Sequence, residues 1–205
     1  KFAKDNEIAC FIDTIRILPV LNEQRRFTFL YEVIGFCSNK INKVFLKIVS
    51  GYSSFVDFLV FYQDSEPIET DIPLYAIEET KTDDSESRNT GVFQRASKFV
   101  FIEHYYPNIK KIMLYNLKIA QKETPTDTYV FGTRCLLTLG VEILGKELDP
   151  KVFRPFSTIE ELIESKNSMK KPPKGNVPIE IDKQGNIIKV SGRLLKVNSL
   201  AHDPN

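Results

Sequence analysis

Two short apolar segments carry charged side chains whose types and spacing could bind a metal ion. The segments are residues 55–62 and 74–81, with Asp57 in the first and Glu78, Glu79 and Lys81 in the second. A charge buried among apolar residues is costly unless it is paired or holds a metal. Carboxylate oxygens are ligands that suit Mg²⁺. The pattern therefore indicates a site in which two carboxylates share one cation, with a lysine beside them.

Both segments are rich in Val, Ile, Phe and Tyr, and the polar linker between them contains two prolines, which predicts two neighbouring strands. Each is apolar at both alternate sets of positions, as in a sheet that is covered on both faces. Side chains alternate along a strand, so Glu78 and Glu79 point to opposite faces. If the strands form an antiparallel hairpin with Tyr62 opposite Leu74, Asp57 falls opposite Glu79, with Cβ atoms roughly 5 Å apart.

An Asp on one strand and Glu-x-Lys on the next resemble the motif of the PD-(D/E)xK nuclease superfamily, most of all the type II restriction endonucleases. The resemblance extends to the order strand, strand, helix, strand and covers about a third of the chain. It implies that the Asp57 and Glu79 carboxylates and the Thr80 carbonyl oxygen hold Mg²⁺, with Lys81 by the attacking water. Val56 stands where the family nominally has proline.

The resemblance also implies a fold and a function. The fold would be α/β, with the mixed central sheet of the restriction-endonuclease-like core flanked by helices. The function would be that of a magnesium-dependent endonuclease that hydrolyses phosphodiester bonds in double-stranded DNA. Because such an enzyme cuts both strands at a two-fold site, we expect a homodimer.

Further side chains are expected near the DNA. The loop after Lys81 is polar and follows a strand that carries the motif, which is where functional residues tend to lie. A surface loop without a ligand is the alternative. The next helix, residues 92–106, would present a glutamine beside the water at the metal, as nuclease relatives do. The expected catalytic and DNA-binding side chains outside the two strands are Gln94, Arg88, Asn89, Arg95, Lys170, Lys171 and Lys174.

Other interpretations of the motif remain open. Glu79 and Lys81 could form a surface salt bridge worth under about 1 kcal/mol. Asp71 is a poorer partner than Asp57, because eight residues of extended strand, about 26 Å, separate it from Glu79. Glu32 could be an extra metal ligand on a helix, or a surface or paired glutamate. A repair or recombination nuclease, or a DNA-binding module without catalysis, are alternatives to the restriction enzyme.

The remaining elements follow from periodicity and punctuation. Apolar spacing predicts helices over residues 4–18 and 22–34, and a first strand over 43–50. A further strand is predicted over 109–117 and a long apolar helix over 128–148, which would either pack across the sheet or form the dimer surface. Ser157 and Glu160 form a capping box for a short helix to about Glu164.

A change of composition divides the chain. Residues 1–165 are expected to form the catalytic domain, and residues 166–176, with four lysines and no acid, a basic arm or a plain linker. Residues 177–197 alternate apolar and polar side chains around Lys183-Gln184-Gly185-Asn186, which predicts a small β-hairpin unit over residues 177–205. This unit could be the start of a longer C-terminal region, and the chain also begins without Met, as a fragment would.

Composition places the chain in a broad class. With 205 residues, 42% hydrophobic content and a net charge of +1, it has the composition of a globular protein of one domain with a modest appendage. No apolar run reaches the roughly 20 residues of a membrane span. Cys10, Cys37 and Cys135 are widely spaced and odd in number, and we expect reduced core cysteines in a cytoplasmic protein.

Overall fold

The structure is a computed structural model, and it describes residues 1–37, 42–49, 55–80, 91–116, 126–169, 180–184 and 187–191. The chain divides into two compact units, Lys1–Met169 and Lys170–Asn205. In chain order the first unit contains α1 (Phe2–Asp5), β1 (Ala9–Cys10), a 3₁₀ turn (Ile12–Thr14), β2 (Arg16–Leu21), β3 (Phe27–Ile34), β4 (Phe36–Cys37), β5 (Lys43–Ile48), β6 (Phe58–Gln63), β7 (Tyr75–Thr80), α2 (Gly91–Tyr105), β8 (Lys110–Tyr115), α3 (Asp127–Thr138), β9 (Val141–Leu144) and α4 (Ile159–Ser168). The second contains β10 (Glu180–Gln184) and β11 (Ile187–Ser191).

Seven strands of the first unit form one mixed sheet in the order β2-β3-β5-β6-β7-β8-β9. The strands from β2 to β7 pair antiparallel, and β7, β8 and β9 pair parallel. A parallel neighbour needs a crossover connection, and α2 lies between β7 and β8 in the chain as α3 lies between β8 and β9. The predicted α/β class with a mixed central sheet is therefore confirmed.

The main core covers one face of this sheet. Apolar residues of the helices pack against apolar residues of the strands, and each of these side chains is less than a tenth exposed. The core residues are Leu30, Phe45, Val49, Val56, Leu59, Phe61, Ala76, Phe99, Ile102, Met113, Tyr115, Leu136 and Val141. Phe99 and Ile102 of α2 and Leu136 of α3 are fully buried, so these two helices cover this face because their apolar stripes require it.

The opposite face of the sheet is less completely covered. Val60, Ile77 and Leu114 line an apolar groove of about 130 Å³ together with Lys1 and Phe2 of the N-terminal segment. Val60 and Ile77 stay partly exposed. The expectation that both faces of β6 and β7 are fully buried is therefore wrong for this face.

The prediction of two helices near the N-terminus is wrong. Residues 4–18 form the end of α1, β1, a 3₁₀ turn and the start of β2, and residues 22–34 form a turn and β3. The stretch Arg16–Leu21 is almost continuously apolar, and β3 pairs with strands on both of its sides. Tertiary pairing in the sheet therefore overrides a weak helical periodicity. Pro19 is tolerated because β2 is the edge strand.

The long helix predicted over residues 128–148 is two elements, α3 and β9. Gly140 adopts φ +72°, a conformation that favours glycine and ends a helix. Beyond it, β9 pairs with β8. Leu136 and Phe131 of α3 are buried within the chain, so the alternative in which this helix packs on the sheet is the one observed, and these residues do not supply a dimer surface.

Other elements agree with the prediction more closely. Strands β5, β6, β7 and β8 and helix α2 lie where the sequence places them, within a few residues. The N-cap of α4 is Thr158, one residue after the predicted Ser157, and the Thr158 Oγ1 accepts from the Glu161 N–H at 3.1 Å. In α2, Val100 is 53% exposed, although its apolar side chain would be expected in the core.

In the C-terminal unit, β10 and β11 pair antiparallel with Gln184 next to Ile187. This is the predicted hairpin.

All three cysteines are free, as expected, but the prediction that they are core residues is wrong. Cys10 and Cys37 are exposed and Cys135 is half-buried. Among the described residues, no helix has the length and apolar character that crossing a membrane requires.

Candidate active site

Asp57 is held against β7 at the start of β6. Its backbone N–H donates to the Ile77 carbonyl at 3.1 Å. Its Oδ2 accepts a hydrogen bond from the backbone N–H of Glu79 at 2.9 Å. Asp57 therefore lies beside the predicted Glu-x-Lys strand, but through the backbone of Glu79 and not through the Glu79 carboxylate.

The register of the β6–β7 hairpin differs from the predicted one. The observed pairs are Val60 with Tyr75, Leu59 with Ala76 and Phe58 with Ile77. The regular pairing ends at Phe58, and the Asp57 N–H donates to the Ile77 carbonyl, so Asp57 lies beside Ile77 and not opposite Glu79. A shift of one residue exchanges the two faces of a strand, so the predicted pairing of Asp57 with Glu79 is wrong. The hairpin also closes earlier along β6 than predicted. The Leu74 N–H donates to the Val60 carbonyl at 2.7 Å, whereas the prediction places Leu74 opposite Tyr62.

Glu78 is the buried carboxylate of this region. Only 4% of the residue is exposed. The Lys98 Nζ on α2 donates to its Oε1 at 2.6 Å. Its Oε2 is buried and has no hydrogen-bond partner among the described residues. A buried polar atom without a partner costs about 1–3 kcal/mol, which makes this oxygen a candidate ligand atom.

The charges around Glu78 show what surrounds it. Burial raises the pKa of the Glu78 carboxyl, and the negative charge of Asp57 raises it further. The Lys98 hydrogen bond and the positive charges of Lys98 and Arg95 act in the opposite direction. Two carboxylates and two cations therefore influence one another at the ends of β6 and β7.

Thr80 and Arg95 extend this cluster. The Arg95 Nη2 donates to the Thr80 Oγ1 at 3.0 Å. The Thr80 carbonyl, predicted as a metal ligand, accepts from the Asn116 N–H at 2.8 Å, just beyond the end of β8. Arg95, predicted to contact DNA, thus lies one helical turn before Lys98 on α2.

Glu79 lies on the other side of β7. It is half-buried, and its Oε1 accepts from the Asn116 Nδ2 at 2.9 Å. Because Glu78 and Glu79 are adjacent on a strand, their side chains point to opposite faces. The structure therefore separates Glu79 from the Glu78–Lys98 pair.

The other predicted site residues are only partly covered by the structure. Gln94 is exposed in the first turn of α2, where the sequence places it. Glu32 lies on β3, not on a helix, and pairs with the Lys43 Nζ at 3.3 Å, so the paired alternative is the observed one. The predicted residues that lie outside the described part of the chain are Lys81, Arg88, Asn89, Lys170, Lys171 and Lys174.

Sequence reasoning missed Lys98 and assigned Glu78 to the wrong face. Glu78 is one of the charged residues in an apolar segment of the sequence, and it is buried in the structure. The signal for Lys98 is its helical position one residue before the buried Phe99, where a long side chain can reach back over the sheet.

The donor set limits what the site can bind. No group of three or more His, Cys, Asp and Glu side chains that could hold a metal occurs among the described residues. Mg²⁺ is often held by only one or two carboxylates together with waters and substrate phosphates. Asp57 and the unpartnered Glu78 oxygen fit that requirement, whereas a site for Zn²⁺ would need more protein ligands.

No family model matches the chain, and neither a curated protein nor a solved structure matches it.

Proposed function

We propose that the protein is a magnesium-dependent nuclease that hydrolyses phosphodiester bonds in DNA, with Asp57 and Glu78 as the metal-binding carboxylates and Lys98 as the lysine of the site. Glu78 replaces Glu79 in the arrangement that the sequence predicts. The single observation that carries the proposal is the buried, unpartnered Oε2 of Glu78. An enclosed carboxylate oxygen that lacks a donor beside a second carboxylate is what a cation would satisfy.

The chain order supports the same proposal. Two antiparallel strands, β6 and β7, are followed by α2 and by β8, which pairs parallel with β7. This is the strand, strand, helix, strand order expected of a restriction-endonuclease-like core. The carboxylates lie at the start of β6 and the end of β7, which antiparallel pairing brings to the same edge of the sheet.

The cations of α2 suit an anionic substrate. Lys98 is held by Glu78 with its ammonium group in the site, and it can donate to a non-bridging phosphate oxygen. Arg95 lies one turn earlier and presents a guanidinium, which binds phosphate through parallel N–H donors. Both residues therefore position the phosphate over the carboxylates.

The reaction would be a simple hydrolysis. The oxygen of a water molecule forms a bond to phosphorus, the ester bond to the leaving oxygen breaks, and one proton passes from the water to solvent while the leaving oxygen takes up another. Mg²⁺ supplies stabilisation of the negative charge that develops on the phosphate. The residues of the chain orient the phosphate and hold the two carboxylates at the same edge of the sheet.

The test is cleavage of supercoiled plasmid DNA, with 10 mM magnesium or with EDTA, by the wild-type chain and by Asp57→Asn. We expect nicking that needs magnesium and whose rate falls by at least about 100-fold in Asp57→Asn. Mutation of a residue that only contacts a metal ligand reduces activity by about 10- to 100-fold, and loss of a ligand itself should reduce it at least as much. Asp64→Asn is the matched control, since Asp64 is exposed in the loop after β6.

Three outcomes would contradict the proposal. They are cleavage that persists in EDTA, equal activity in Asp57→Asn and wild type, and DNA binding without any cleavage. The last of these would identify a DNA-binding module that lacks catalysis.

A further inference from the structure

The hairpin between β2 and β3 presents aromatic and basic side chains with no role in the core. Phe27 is 66% exposed and Phe29 is 63% exposed. Arg25 and Arg26 precede them in the turn, and neither guanidinium has an ion-pair partner among the described residues. Glu23 is the one acid of the turn, whose residues are Asn22-Glu23-Gln24-Arg25-Arg26.

The turn is fixed by its own hydrogen bonds. The Asn22 N–H donates to the Arg26 carbonyl at 3.0 Å, and the Arg25 N–H donates to the Asn22 carbonyl at 2.8 Å. The Asn22 Oδ1 accepts from the Arg26 N–H at 2.9 Å. A surface that is ordered before binding loses less entropy when it binds a ligand. The side chains at this tip are therefore presented on a preformed frame.

Phe29 has an unusual backbone. Its φ is +57° within β3, although it is a bulky residue. Such a conformation costs about 1–3 kcal/mol and tends to persist where the surrounding structure or a function requires it. Here it accompanies an irregularity in the pairing of β2 and β3 between Pro19 and Leu21. The strained backbone leaves an aromatic side chain in solvent that the core does not use.

Sheet topology places this tip at the same edge as the candidate active site. The end of β5 pairs with the start of β3, and it also pairs with the start of β6, where Asp57 lies. The turn, Asp57 and Glu78 therefore share one edge of the sheet. Neighbouring strands are about 4.8 Å apart, so three strand spacings, about 14 Å, separate β3 from β7.

We propose that the tip of the β2–β3 hairpin, with Phe27, Phe29, Arg25 and Arg26, binds an unpaired stretch of the DNA substrate. This inference rests on the proposed function and names its substrate class: DNA with a single-stranded segment beside the bond that is cut. Exposed aromatic rings stack on unpaired bases, and basic residues next to them bind the backbone. The spacing of about 14 Å between β3 and β7 lies within the span of the 4 to 16 nucleotides that single-strand sites contact.

The experiment measures binding without cleavage. Fluorescence anisotropy in EDTA measures the affinity of the whole chain for a labelled 15-nucleotide oligothymidylate and, separately, for a labelled 15-base-pair duplex. Stacking on one aromatic residue contributes enough that its removal weakens binding by about fivefold or more. We therefore expect Phe27→Ala with Phe29→Ala to weaken oligothymidylate binding at least fivefold, and Phe27→Tyr with Phe29→Tyr to restore it.

The chain offers a matched control. Phe11 is 57% exposed and precedes β2, at the opposite end of the strand from the turn. Phe11→Ala should bind oligothymidylate like the wild type. Replacement of Arg25 and Arg26 by glutamine should weaken binding and lower its dependence on salt by about 0.7 in log–log slope for each single-strand phosphate that the variant no longer neutralises. Circular dichroism melts establish that the variants are folded.

Several results would overturn the inference. One is oligothymidylate binding by the double alanine variant equal to that of the wild type. Another is a loss confined to the duplex. A third is a change from dimer to monomer in sedimentation with unchanged DNA binding, which would assign the tip to a second copy of the chain. Plasmid cleavage by the wild type is scored separately. Cleavage of the plasmid without oligothymidylate binding by the β2–β3 hairpin refutes this inference alone. Oligothymidylate binding by the β2–β3 hairpin without plasmid cleavage refutes the nuclease alone.

Discussion

The two adjacent glutamates of β7 allow a sharp test of the site, because only one of them can face Asp57. Glu78→Gln and Glu79→Gln are the same chemical change one residue apart. If Mg²⁺ binds to Asp57 and Glu78 in the folded state, it stabilises the wild type by RT ln(1 + [L]/Kd), which is about 1.4 kcal/mol at ten times Kd. For a unit of this size 1 kcal/mol corresponds to about 2–4 °C in Tm. The expected rise is therefore about 3–6 °C.

Thermal melts at pH 8, with EDTA and with 10 mM magnesium, measure this rise in the wild type and both variants. We expect Glu78→Gln to abolish it and Glu79→Gln to keep at least half of it, since the Glu79 carboxylate is bound to Asn116 on the other face. Plasmid cleavage should follow the same order. The opposite ranking, with Glu79 essential and Glu78 dispensable, would refute the observed register as the functional one. If no variant and no wild-type melt responds, a second series with a short duplex decides whether the site needs DNA to bind the ion.

Three further predictions concern the framework. Gly145→Ala should destabilise the chain clearly more than Gly140→Ala, whose left-handed φ alone costs about 1–2 kcal/mol, because an added Cβ on Gly145 would lie 2.0 Å from the Tyr115 carbonyl oxygen; urea unfolding compares them. The Ser157 N–H is the main cause that lowers the pKa of Glu161 from 4.5 to about 2, so its stabilisation is complete above pH 4.5 and is lost as the pH falls through 2; in urea melts, Glu161→Gln should be less stable than wild type at pH 7, and most of this difference should be gone at pH 2. A variant that replaces three lysines of the basic arm with glutamine tests whether the arm binds phosphate; the lysines are Lys170, Lys171 and Lys174. If it does, the log–log slope of duplex affinity against salt should fall by about 0.9 for each phosphate that the variant leaves unneutralised. An unchanged slope would mean that the arm is a linker.

The central part of the fold could be predicted because local signals and tertiary structure agree there. Strands β5 to β8 are apolar, short and bounded by turn residues, and a proline follows the end of α2. The N-terminal region could not be predicted in the same way. Its apolar residues fit a helical stripe and a strand equally well, and the pairing of β3 with β5 decides between them. Gly140 could have signalled the end of α3, because a glycine inside a long predicted helix is also a common C-terminal cap.

The two carboxylates of the candidate site could be found in the sequence, but Lys98 and the arrangement of the three side chains could not. Charged residues inside apolar strands are visible in a sequence, and Asp57, Glu78 and Glu79 were found for that reason. Which of two neighbouring residues faces a given partner depends on register, and register depends on where the hairpin closes. Here the linker after β6 contains its own structure, with the Asp71 Oδ2 accepting from the Gln63 Nε2 at 2.8 Å and from the Ile68 N–H at 2.9 Å. A linker of this length carries no turn signal that fixes the pairing.

The position of Lys98 follows from the same register. When Glu78 is the buried carboxylate, a cation on the same face must come from an element that packs there, and α2 is that element. In the predicted motif, the lysine follows the glutamate by two residues and is expected on the same face of the strand, because side chains alternate. The motif is defined by spacing along one strand, whereas the site is defined by one face of the sheet. When the register shifts by one residue, the motif and the site therefore contain different residues. In the proposed site, the two carboxylates and the lysine come from the start of β6, from β7 and from α2. Lys98→Gln is therefore expected to reduce cleavage without reducing the thermal response to magnesium, with Lys43→Gln as a control on another ion pair.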